Sequence, residues 1–157
     1  MLLPCAVTIQ NDFGLLYRTF ESELAETCSR RHHNLSLLAY GVLNGGALSG
    51  KYLDGGHAPP TARFNMAPTF QPRYRAERSA EATKEYCALA KEYGMDGATL
   101  AQAWAYSRAY LGCVIIGATS VEQLEANWRA STVALPNECL KRIDLIHLRR
   151  RNPNLHD

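Results

Sequence analysis

Three short apolar runs limit what this chain can fold into: "CAVTIQ" (5–10), "LSLLAYG" (35–41) and "CVIIGA" (113–118). Each is aliphatic or β-branched and too short for an ordinary helix, which predicts a strand at each place. The second and third lack polar alternation, so both are expected to be buried on both faces, as in a parallel sheet covered by helices. Helical patterns separate them. Phe20, Leu24 and Cys28 stand four apart in "FESELAETCSRR" (20–31), with acids early and Arg30-Arg31 late, which suits the helix dipole. Ser79 reads as the N-cap of a helix to Tyr93, with Ala82, Tyr86, Leu89 and Tyr93 on one stripe and Gly94 as the stop. Residues 98–110 read as another helix, with Leu100, Ala103 and Trp104 inward. Ser120 and Gln123 form a capping box for a helix to about Ala130, and Pro136 opens a last helix carrying Leu140, Ile143 and His147. The segment 53–77, holding Pro59, Pro60, Pro68 and Pro72, reads as a long irregular loop, and such loops are usually functional or mobile. The order β-α-β-loop-α-α-β-α-α defines an α/β fold with a parallel sheet. Three strands leave both sheet edges unpaired, so the pattern alone predicts a piece of something larger.

Composition narrows the function classes. A chain of 157 residues can bury a core, and 46% hydrophobic with 20% charged residues is ordinary for a globular protein. A formal net charge of +2 is too small to argue for nucleic acid. No apolar run approaches the roughly 20 residues of a membrane span, and "MLLPCAV" is too short, without a basic start, to read as a signal peptide. Five scattered cysteines, Cys5, Cys28, Cys87, Cys113 and Cys139, contain no CxxC pair. They predict buried or inert thiols and a reducing, cytoplasmic setting. Adjacent His32 and His33 point about 100° apart on a helix, so a shared metal is not expected. "RRRNPNLHD" (149–157) is expected to be a solvated tail beyond a domain at 1–148.

Several stretches carry chemistry. Gly45, Gly50 and Lys51 fit G-x-x-x-x-G-K, but a nucleotide triphosphatase loop needs Ser or Thr next, and Tyr52 stands there. Glycines for turns, plus a basic residue for some other phosphate, is the better reading. In "VIIGATSVEQLEANW" (114–128) a strand ends at Gly117, hydroxyls follow at Thr119 and Ser120, and a helix begins. The free N–H groups and positive dipole of such a helix start favour a phosphate. Gln123 and Asn127 lie one turn apart, so both amides can address one flat polar group. On spacing alone, a capped helix with two exposed amides is the alternative. Gln10, Tyr40 and Gly117 each stand at a strand C-terminus, where parallel α/β folds bind ligands, although Tyr40 alone reads equally as a core aromatic.

At these residues the chain resembles the C-terminal half of the aldo-keto reductases, nearest the branch of the potassium-channel beta subunits and related bacterial reductases. "VTIQNDFGLLYRTFESELAETC", "LLAYGVLNGGALSGKY" and "VIIGATSVEQLEAN" carry the likeness, in family order, over residues 6 to 147. The resemblance implies the last three strands of a TIM-type (β/α)8 barrel that binds NADPH without a Rossmann domain. It implies that Gln10 binds the nicotinamide carboxamide and that Tyr40 stacks on the nicotinamide ring. It places residues 41–46, including Gly41, Leu43 and Gly45, along the pyrophosphate. Lys51 and Arg63 become the basic pair near the phosphates and adenosine. Gly117, Thr119, Gln123 and Asn127 become the adenosine 2′-phosphate and adenine pocket. The chain departs from the family at Gly41-Val42, where Ser-Pro is frequent, and at Ala126, where an acidic residue is usual.

A complete barrel needs roughly 250 residues. The family's catalytic Asp, Tyr, Lys and His come from strands upstream of the position matching Gln10, and the resemblance assigns none of these roles here. The expectation is an NADPH-dependent carbonyl reductase fold represented by its cofactor side, inactive alone, with a small carbonyl substrate only if the barrel is completed. The alternative is a non-enzymatic nucleotide- or partner-binding module that completes its barrel with another chain or by self-association.

Overall fold

The computed structural model describes residues 5–54 and 56–155. The first four residues of "MLLPCAV", which was not expected to be a signal peptide, and the last two of the tail lie outside the described residues.

Three parallel strands, β1 (Thr8–Asp12), β2 (Ser36–Tyr40) and β3 (Leu111–Val114), form one sheet in the order β1-β2-β3. β1 pairs with β2 without a break from Thr8 opposite Ser36 to Asp12 opposite Tyr40. The β2–β3 register shifts between Leu37 and Leu38. The helices are α1 (Thr19–Glu23), α2 (Ala25–Cys28), α3 (Arg63–Met66), α4 (Glu77–Glu92), α5 (Gly97–Tyr106), α6 (Val121–Ala130) and α7 (Asn137–Arg149).

The expectation that two strands are buried on both faces is overturned. In β2, Leu37 and Ala39 are buried and join the core, while Ser36 and Tyr40 are exposed. In β3, Gly112 and Cys113 are exposed. The helical core therefore takes one face of the sheet. The other is the face that fills with inward side chains when a barrel closes.

The core centres on Trp104 of α5. Phe13, just past β1, stacks on it at 5.1 Å, and Tyr110 meets Phe13 edge-on at 5.6 Å. The Arg18 guanidinium lies 4.7 Å from the Trp104 ring and donates to Asp144 Oδ1 at 2.9 Å and to Glu21. A cation only 9% exposed is tolerable because it is paired and has an aromatic face beneath it.

Several local expectations need correction. The helix expected over 20–31 breaks at Leu24 and stops at Cys28, because Ser29 is extended, so Arg30-Arg31 fall beyond its end. α4 begins at Glu77, and Ser79 is inside it. The Ser79 hydroxyl is buried and lies 2.8 Å from both the Arg73 carbonyl and Asn154 Oδ1, a tertiary role rather than a cap. α5 ends at Tyr106 rather than at 110. The tail is only partly solvated as far as it is described, with Arg149, Arg151 and Leu155 exposed. Pro153 and Asn154 are buried, and Asn152 Oδ1 accepts from the Arg18 N–H at 2.7 Å. Arg149 and Arg150 pair with Glu85 of α4. Cys28 and Cys139 are buried as expected, but Cys5 and Cys113 are exposed. Among the described residues no His, Cys, Asp and Glu cluster suits a metal, and no helix is long and apolar enough to cross a membrane.

His147 of α7 is half-buried, and burial, followed by the Arg18 charge, pushes its pKa from 6.5 down to about 4. Between those values the unfolded chain holds more proton, so stability falls as pH drops from 6.5 toward 4. His147→Gln is expected to shrink the loss of urea midpoint between pH 7 and about pH 4.5. An undiminished loss in the variant would show that other groups dominate the acid response.

Candidate functional site

All three strands point their carboxyl ends the same way. The ladder continues past them, with the Phe13 N–H donating to the Tyr40 carbonyl at 3.0 Å and the Ile115 N–H to the Ala39 carbonyl at 2.7 Å. Gln10 sits opposite Leu38 and shares with Tyr40 the face away from the helices. Gln10 is exposed and Tyr40 is 37% exposed, both on this face away from the helical core.

After Tyr40 the backbone turns left-handed at Gly41 (φ +77°), Asn44 (φ +49°), Gly45 (φ +64°) and Gly46 (φ +95°). Two of these positions demand glycine. A Cβ on Gly41 would collide with Asp12 Oδ1, and one on Gly45 would come within 2.9 Å of the Phe64 ring. Leu43 turns back onto the main core. Lys51 folds over the same turn, its Nζ 3.3 Å from where a Gly46 Cβ would be.

The long segment 53–77 is not structureless. Phe64 and Tyr74, with Ala47, bury a small second core, joined by Tyr52 and Phe70. Arginines lie on these rings: Arg63 on Phe70 at 5.0 Å and Arg75 on Phe64 at 5.3 Å. This packing carries Arg63 across to the third strand end, where its Nη2 lies 3.7 Å from the position of a Gly117 Cβ. Lys51 thus lies over Gly46, Gly45 backs onto Phe64, and Arg63 beside Phe64 reaches the distant Gly117.

The start of α6 is capped in a way the sequence pattern only half describes. Ser120 Oγ accepts from the Gln123 N–H at 3.3 Å. The return bond goes one residue further back, with the Thr119 N–H donating to Gln123 Oε1 at 3.0 Å. Gln123 and Asn127 do not act as one exposed pair. The Gln123 carbonyl serves the cap, while Asn127 is 8% exposed and its Oδ1 accepts from Gln102 Nε2 at 2.8 Å.

The sequence reading passed over Asp12 and Arg73. Asp12 is 3% exposed, and its Oδ2 accepts from Arg73 Nη2 at 2.7 Å. Burial pushes the Asp12 carboxyl up, and the adjacent guanidinium only partly offsets that. Burial works most strongly against the Arg73 charge, but Asp12, Tyr74 and Tyr40 together outweigh it and raise that pKa. The pair ties the far end of the long segment to the end of β1. No local pattern announces it, because the partners are 61 residues apart. Asn44, with both amide atoms buried and unpaired, was also missed.

The arrangement matches a known family. Residues 3–147 match the profile of the Aldo/keto reductase family. The chain is 36% identical over 145 residues to "Protein tas" of Escherichia coli, covering 92% of this chain and 41% of that protein. It is 31% identical over 150 residues to an "Aldo-keto reductase" of Babesia bovis, covering 93% and 53%. It is 34% identical over 136 residues to mouse "Aflatoxin B1 aldehyde reductase member 2", covering 78% and 36%. Among solved structures, a glycerol dehydrogenase from Gluconobacter oxydans superposes with a TM-score of 0.68 at 27% identity, covering 92% of this chain and 43% of that one. The chain belongs to the aldo/keto reductase family, an oxidoreductase family, and its fold is part of an α/β barrel. It spans about half the length, or less, of the relatives it matches.

Gly41→Ala is expected to cost about 2 kcal/mol or more, since it adds a clash with Asp12 to the left-handed strain. Gly94→Ala, at φ +72° with open space around it, is expected to cost about 1 kcal/mol. Urea midpoints measure both, and equal costs would show that the Asp12 contact relaxes freely.

Proposed function

We propose that this chain is the cofactor-holding portion of an NADPH-dependent carbonyl reductase and is inactive without the rest of the barrel. The observation that carries the reading is a pair of contacts, Lys51–Gly46 and Arg63–Gly117, two cations laid against bare glycine backbone beyond strand carboxyl ends. A dinucleotide phosphate is long and anionic, and such contacts give it close backbone approach and positive charge. The residues present therefore fit the cofactor. On this reading Tyr40 offers its exposed ring to the nicotinamide and Gln10 its amide to the carboxamide. Gly41, Leu43 and Gly45 shape the turn beside the pyrophosphate. Lys51 and Arg63 address phosphates, and Thr119, Gln123 and Asn127 surround the adenosine end. When bound, NADPH supplies hydride to a carbonyl carbon. The proton donor that such a reduction also needs has no candidate among the residues assigned here.

A second reading rests on a separate observation. Val7, Ile115, Val121, Leu124 and Trp128 are exposed at the open sheet edges and on α6, Trp128 by 77%. An apolar margin of this kind suits a module that completes its barrel with another chain or a second copy of itself.

The test is a titration of the purified, size-resolved chain with NADPH and NADH. NADPH is expected to raise the melting temperature saturably and more than NADH. Arg63→Ala is expected to weaken NADPH binding roughly tenfold, as the loss of a charged hydrogen-bond donor predicts. The chain alone is expected to reduce no aldehyde. Aldehyde reduction abolished by Tyr40→Ala would overturn the inactivity, and a defined oligomer indifferent to nucleotide would favour the second reading.

A further inference from the structure

α4 and α7 lie side by side, with Glu85 meeting Arg149 at 2.8 Å and Glu92 meeting Arg142 at 2.9 Å. Numbers rise along one helix as they fall along the other, so the two are antiparallel. Each step is two helical turns, so the ion pairs stand about 10 Å apart along one groove. The groove is open and holds about 310 Å³. Buried Leu89 and Ile146 line it, together with exposed Ala88 on α4 and Leu145 on α7, the latter 53% exposed. The two sides differ in kind. α4 offers carboxylates and a small residue, and α7 offers guanidiniums and a large one.

We infer that this groove is the contact face of a homodimer, with a second copy laid on it about a two-fold axis that runs along the groove. Such an axis keeps height along the groove and exchanges its two sides, so α4 of each copy covers α7 of the other. Glu92 of one copy then stands over Arg142 of the other and Glu85 over Arg149, while Leu145 falls within one residue's rise of Ala88. Every contact occurs twice. The alternative two-fold, across the groove, lays α4 on α4 and α7 on α7, with Glu85 facing Glu92 and Arg142 facing Arg149. Like charges reject it. Exposed ion pairs add little energy, so they set the register while the apolar contact between them carries the association. The face is about 20 Å long and two helices wide, smaller than a standard interface, and the dimer is accordingly weak and concentration-dependent. It uses no residue of the glycine turns, the sheet edges or α6, so it stands apart from both readings of function above.

The experiment is sedimentation velocity of the full chain from about 1 to about 100 μM, where a weak dimer forms. The wild type is expected to pass from monomer to dimer over that range. Leu145→Glu is expected to stay monomeric throughout while keeping its far-ultraviolet circular dichroism, since the residue is exposed. Trp128→Glu, on the apolar face of α6, is expected to leave the dimer unchanged. Glu92→Arg and Arg142→Glu are each expected to weaken self-association at least tenfold. An equal mixture of those two variants is expected to associate more tightly than either alone, because opposite charges then meet between unlike copies. Ala88→Cys is expected to form no disulfide with the same position of the other copy, about 10 Å away across the groove. A wild type that is monomeric at about 100 μM overturns the inference. So does a dimer that survives Leu145→Glu or is lost in Trp128→Glu, or a mixture no tighter than its separate variants. A disulfide between the two copies at position 88 overturns the placing of α4 over α7.

Discussion

β2 receives backbone hydrogen bonds from both neighbours, and because all three strands run the same way, their carboxyl ends finish side by side. Parallel strands cannot be joined by tight turns, so each link must cross over the sheet and return. The crossover after β1 is short and carries α1 and α2. The one after β2 is long and carries the glycine turn, the aromatic second core, α4 and α5. Gln10, Tyr40 and Gly117 are neighbours only because this pairing holds. A change that weakened the β1–β2 register would move the Tyr40 ring, the Gly41 turn and the Asp12 carboxylate together.

The second core does for the long segment what the main core does for the helices. Phe64, Phe70, Tyr52 and Tyr74 supply too little apolar area to stand alone, but they pack on Ala47 beside the glycine turn. Arginines stacked on these rings keep their charge in partial contact with water while their stems cover apolar surface. The Asp12–Arg73 pair then fixes the end of the segment. A buried carboxylate whose Oδ1 has no partner adds little net stability, so the pair acts chiefly as a locator, setting where Tyr74 and the start of α4 meet β1.

Strong local signals were legible in the chain. The α6 start follows from Ser120 and Gln123, the α4 stop from Gly94 at φ +72°, and the inward face of α5 from Leu100, Ala103 and Trp104. The long family motifs fixed the family, since their order and spacing exceed what any single turn or cap demands. Other features misled for identifiable reasons. Ser79 resembles a cap because a cap and a buried serine have the same side chain, and only the Arg73 carbonyl and Asn154 tell them apart. "CVIIGA" reads as doubly buried because apolar content does not reveal whether a strand's second face is covered. "RRRNPNLHD" reads as solvated because its charges find Glu81 and Glu85 only once α7 lies along α4.

The amino-acid sequence by itself determined the element order and the caps and stops with short-range partners, because each depends on residues within a few turns of one another, and membership of the family through the order of its motifs along the chain. Tertiary structure alone decided that Asp12 meets Arg73, that Arg63 reaches Gly117, and that Asn127 turns its oxygen to Gln102. Those contacts join positions 25 to 61 residues apart. Which of many chemically equivalent partners a side chain meets depends on how the crossovers return to the sheet, and that path is set by the packing of both cores at once.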